Sequence, residues 1–100
     1  MSEFTPEGLD RSAALLARSS AAARELALAV PGLAPYVSGP AAGLDEAAAL
    51  IRTARDRLAA DPQADIRPGL ERAQAVGQLA QKHLRLLHAL VGEALGGFGS

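Results

Sequence analysis

Apolar residues along this chain recur at alternating steps of three and four, the signature of helices packed along one stripe. The pattern is clearest near the C-terminus, where Leu70, Ala73, Gly77, Ala80, Leu84, Leu87, Val91 and Ala94 form a seam more than three heptads long. A second seam lies beside it: Val76, Leu79, His83, Leu86 and Leu90. Glu71, Gln74, Gln78, Gln81, Arg85 and His88 fill the remaining side. A helix with two seams touches two neighbours, so this segment is expected at the centre of a bundle. Leu44, Ala47, Ile51, Ala54 and Leu58 make one narrow seam in the middle of the chain. Nearer the start, Leu9, Leu16, Ala23 and Val30 repeat every seven residues, with Leu26 and Leu33 at the partner position and Ser12 and Ser19 filling it earlier.

Proline and glycine divide these seams. Thr5 and Pro6 have the chemistry of an N-cap and a first helical residue. Val30 to Pro40 holds three Pro and two Gly and reads as a connection. Asp61-Pro62 and Arg67-Pro68-Gly69 bracket a third break, with Asp61 and Asp65 as stop and cap residues. The fold class is all-α: an antiparallel bundle of three helices at about 6–30, 40–60 and 68–95, or a helical hairpin whose second arm is kinked at Pro62–Pro68. Residues 1–95 form one domain, and 96–100 read as a flexible Gly-rich tail.

Composition narrows the core. Of 100 residues, 23 are Ala and 16 Leu, against two Phe, one Tyr and no Trp. Ala and Leu are the strongest helix formers, and β-branched and aromatic residues are too few for a sheet protein. An Ala-rich core buries little area per residue, which raises the expectation of a partner chain. Ser19 to Ala23 offers only small side chains, suited to a close helix crossing or to a groove for a partner helix.

Charge and chemistry are mostly exclusions. The net charge is −1, with ten basic and eleven acidic residues, and gives no general pull toward nucleic acid or anionic membrane. Nine of the ten basic residues are Arg, which together with the Ala content fits a GC-rich genome. Arg52, Arg55, Arg57, Arg67 and Arg72 are expected on a solvated face, with Arg52 and Asp56 one turn apart. Asp45 and Glu46 are expected in the first turn of the second helix, complementing its dipole. The chain has no Cys. His83 and His88 are five apart and cannot chelate one ion as an i, i+4 pair would; His83, within an apolar seam, is expected to be interfacial or half-buried. No catalytic, cofactor-binding or metal-binding constellation emerges, and no enzyme is expected. No stretch approaches the ~20 apolar residues of a membrane span, and Met1 to Glu7 lacks the pattern of a secretory signal peptide.

The most specific local motif is Val37-Ser38-Gly39-Pro40-Ala41-Ala42, placed between the first two helices. It resembles the turn of the Trp-X-Gly family of small type VII secretion proteins, whose high-GC members often read Trp-Ser-Gly-Pro-Ala-Ala there. Phe4-Thr5-Pro6-Glu7-Gly8-Leu9 and the Ala/Leu-rich first helix agree, and the resemblance covers roughly residues 4–60. It implies a helical hairpin that pairs as a dimer and is exported with a partner. Val37 stands in the Trp position, Pro62 and Pro68 interrupt the second arm, and the family's Tyr with an acidic residue four positions later is missing after the last helix. The expectation is a small helical interaction protein, cytoplasmic or exported without a standard signal peptide, pairing with itself or another helical protein. Leu79, His83, Leu86 and Leu90 are its partner interface, and Val37, Ser38, Gly39 and Pro40 its turn. The alternative is a cytosolic three-helix adaptor or regulatory bundle with no secretion role; a nucleic-acid-binding helical protein ranks below both.

Overall fold

A computed structural model describes residues 5–99, with side chains through residue 93. It is all-helical among these residues: α1 (Pro6–Ala29), a single 3-10 turn (Pro31–Leu33), α2 (Ala34–Ala60) and α3 (Arg67–Gly99). α1 and α3 each pack antiparallel on α2 and hardly meet one another. The third helix thus folds back as a bundle member instead of extending the second across a kink. The bundle measures 57 × 21 × 18 Å. Its radius of gyration is 16.3 Å, against ~13 Å for a compact chain of this length.

The start of α1 follows the expected chemistry. Thr5 is the N-cap, its Oγ1 accepting from the Gly8 amide at 3.0 Å, and Pro6 opens the first turn. The 61–66 connection is built on its two aspartates. Asp61 caps α2 and its Oδ1 accepts from the Gln63 amide, while Asp65 Oδ1 accepts from the Arg67 amide. α3 runs through Gly99, past the boundary expected at 95. Phe4 and Ser100 lie outside the described residues.

The second helix starts six residues earlier than its prolines suggest. Val37, Ser38, Gly39 and Pro40 are not a turn; they are the second turn of α2, and the connection contracts to Val30–Leu33. Pro35 is tolerated in the first turn, where its missing N–H has no intrahelical partner to lose. Pro40 lies in the interior, but the usual clash of a proline ring with the Cβ of the preceding residue is absent, because that residue is Gly39. Tyr36, whose carbonyl loses its i+4 donor to Pro40, is 67% exposed, so water can satisfy it. Asp45 and Glu46 consequently lie in the fourth turn, far from the N-terminal dipole.

α2, not α3, is the central helix. It buries Val37, Pro40, Ala41, Leu44, Ala47, Ala48, Ala54 and Leu58. Larger apolar side chains cluster at the two ends of the bundle, and fully buried Leu44 lies between them. Leu9, Ala54, Leu58 and Ile66 close one end, supported by Ile51, Ala64 and Leu70. Ala23, Val37 and Ala41 close the other, supported by Ala27, Leu33, Leu84 and Leu87. Between them lies a waist of small residues. A Cβ placed on Gly43 would sit 3.2 Å from Ala80 Cβ, and one on Gly77 would sit 3.6 Å from Ala47 Cβ. The approach of α2 to α3 is tight at Gly43, where a side chain would crowd Ala80, and leaves room for no more than a methyl group at Gly77.

Candidate helix-pairing surface

On α1 the buried positions are Leu9, Ala13, Ser20 and Ala23, with Leu16 and Ala27 half-buried. The partner position of its heptad is therefore Ala13, Ser20 and Ala27, while Ser12 and Ser19 are exposed. Ser20 is 1% exposed, the one buried polar residue among the described positions. Its small side chain admits α2, and its hydroxyl donates to the Ala41 carbonyl at 3.2 Å. Arg24, one turn on, donates to Ser20 Oγ at 2.6 Å and bridges to Asp45 of α2. The Arg24 guanidinium holds the Asp45 carboxyl below its ordinary range.

The remaining charged residues also tie helices together. Arg55 pairs with Asp10 of α1 and with adjacent Asp56, the latter at 2.8 Å; Asp56 thus takes Arg55 rather than Arg52 as its partner. Arg72 of α3 reaches Glu46 of α2 at 3.3 Å. In the basic region centred on Arg52 and Arg55, Arg55 and Arg72 are thus engaged in interhelical pairs. Among the described residues no cluster of three or more His, Asp or Glu side chains could hold a metal ion. No helix there is long and apolar enough to cross a membrane.

Besides exposed residues such as Leu15, Leu28 and Tyr36, two extended apolar surfaces are uncovered among the described residues. One is a trough between α1 and α3, where a cleft of about 690 Å³ between Leu9, Leu16, Leu70 and Ile51 of α2 adjoins one of about 560 Å³ between Ala22, Leu26, Leu84 and Leu87. Gln81 lines both. Gln74, Gln78, Arg85 and His88, expected on a plain solvated face, form the α3 wall of this trough. Ser19 and Ala22, in the run of small residues, line its far wall on α1.

The other surface is the outer seam of α3. Leu79 and Leu86 are each 55% exposed and Leu90 is 63% exposed. His83 lies among them and is exposed in the single chain, not half-buried within it; its interfacial reading is untouched by that. The four proposed interface residues thus share one uncovered line, whereas Val37 and Pro40 of the supposed turn are buried against the neighbouring helices and only Ser38 and Gly39 face solvent. Scans against family models, curated proteins and solved structures each found no match for this chain.

Proposed function

We propose that this protein is a small, non-enzymatic interaction protein that works by helix–helix pairing through the outer seam of α3. The observation that carries the reading is three leucines on one line of one helix, each more than half exposed, beside a core built largely of alanine. Leucine at a/d spacing stabilises a helix only when a second surface covers it. The test compares tagged wild-type protein with Leu86→Asp in native cells. A stable helical partner, or an untagged copy of the chain, is expected with the wild type and reduced by about tenfold or more with the variant. Equal recovery sinks the reading.

The resemblance of residues 4–60 to small type VII secretion proteins supports a second, narrower reading, export with a partner. The antiparallel α1–α2 hairpin is what favours it; Ser38–Ala42 lie inside α2 and do not form the hairpin turn. Appearance in culture filtrate, dependent on a type VII ATPase, is the expected result under that reading. Retention in the cell points to a cytosolic adaptor instead.

A further inference from the structure

The outer seam of α3 continues beyond its leucines. Val76, Leu79, His83, Leu86 and Leu90 follow one another at steps of three, four, three and four, an a/d phase rotated to the side of the seam that faces α2. Its ends carry opposite charge: Arg72 stands one turn before Val76, and Glu93 three residues after Leu90. Lys82 is the one charged residue flanking its middle, with Ala75 and Ala89 at the equivalent positions one heptad away. Arg72 and Glu93 are both exposed, Arg72 while it also reaches Glu46 of α2 within the chain.

We propose that the partner of this seam is a second copy of the chain, with the two α3 helices antiparallel. The inference rests on the pairing role proposed above and names its partner. Charge selects the direction. Parallel pairing would set Arg72 against Arg72, Lys82 against Lys82 and Glu93 against Glu93 of the two copies. Antiparallel pairing brings the acidic end of each seam to the basic end of the other and offsets the two Lys82 side chains, each lying opposite Leu87 of the other copy. The heptad limits the register to steps of seven residues, and one of those steps pairs all four seam residues with one another. Centred between Leu84 and Arg85, Leu79 packs in a layer with Leu90 of the second copy, and His83 with Leu86. Two-fold symmetry repeats both layers, so all four residues are covered by both chains.

One feature of the fold fits this register. Gly43 lies against Ala80 and Gly77 against Ala47, so antiparallel α3 runs past the first residue of α2 by roughly nine residues. The symmetric pair sets that overhang, residues 91–99, alongside residues 70–78 of the second copy, inside the dimer.

The absence of native Cys makes a direct test clean. Sedimentation of the full chain at high micromolar concentration is expected to give twice the 10.2 kDa monomer mass. Leu86→Asp is expected to give the monomer mass with unchanged helix content, since Leu86 is half exposed. Val76→Cys and Glu93→Cys proteins, oxidised as an equal mixture, are expected to cross-link to each other, with neither cross-linking to itself. Self-cross-linking of either variant overturns the antiparallel arrangement. A monomeric wild type, or a Leu86→Asp dimer, overturns self-pairing at this seam. A monomeric wild type whose Leu86-dependent partner is still captured from native cells would leave the broader pairing role standing, so the two failures are separable.

Discussion

On α3, the seam that faces α2 is centred on Ala73, Gly77 and Ala80, and the seam that faces solvent on Leu79, Leu86 and Leu90. The two have the same periodicity and lie on the same helix, yet the small residues are covered and the large ones are not. Small residues inside permit a close α2–α3 approach and leave little area buried per residue. Large residues outside contribute nothing to the monomer until something covers them. The inner seam is a matter of distance between helices, the outer one of area still open to burial.

The largest test of that contrast makes the inner seam large. Ala80→Leu places a branched side chain where Ala80 Cβ already crowds the Gly43 position, and is expected to destabilise by about 1–3 kcal/mol in urea unfolding. A neutral result would mean that α2 and α3 are not held at close approach. A smaller test fills the waist without crowding it. A Cβ at Gly77 meets Ala47 Cβ at ordinary van der Waals distance, so Gly77→Ala is expected to stabilise by ~0.5–1 kcal/mol through helix propensity alone. Gly39→Ala, with open space around it, serves as the control: its new Cβ meets the Pro40 ring, and the propensity gain is offset. Equal stabilisation at both sites would remove the pre-proline account of how α2 accommodates its proline.

The smallest effect concerns the α1–α2 side, where a polar link replaces apolar bulk. The Asp45 pKa is depressed by its hydrogen bond from Arg24, so the folded state binds that proton less readily than the unfolded chain. Its contribution is present above the ordinary value of 3.8 and fades as pH falls below it through the folded value. Both partners are about half exposed, so solvent screening keeps the contribution slight. Asp45→Asn is expected to flatten the acid limb of a stability–pH curve slightly, and an unchanged limb would show that the Arg24 bridge carries no measurable coupling.

The all-helical class, the first-helix cap, the aspartates of the second connection, and the exposed leucines on α3 were all legible in residue spacing. The start of α2 was not, because three prolines and two glycines read as loop chemistry; what allows the helix is a pairwise effect, Gly39 relieving Pro40. The central position of α2 was also hidden. Its buried stripe is mostly alanine, and alanine placed inside a helix looks the same on paper as alanine placed outside. The leucines of α3 drew the eye to the wrong axis for the same reason. Ser20 was missed as a core position since Ser19 fits a seven-residue count from Ser12 equally well, and a hydroxyl declares itself buried only when its acceptor, here the Ala41 carbonyl, is in view.

The near-absence of contact between α1 and α3 bears on how the chain assembles. Nearly every tertiary contact joins helices adjacent in sequence, so folding needs no closure between the first and last helices. Such low contact order belongs to chains that fold in roughly microseconds to milliseconds. α2 is the common template for two hairpins, and a nascent chain could dock α1 on α2 before α3 has been synthesised, leaving the end clusters of Leu9 with Ile66 and of Ala23 with Leu84 to be completed when α3 arrives.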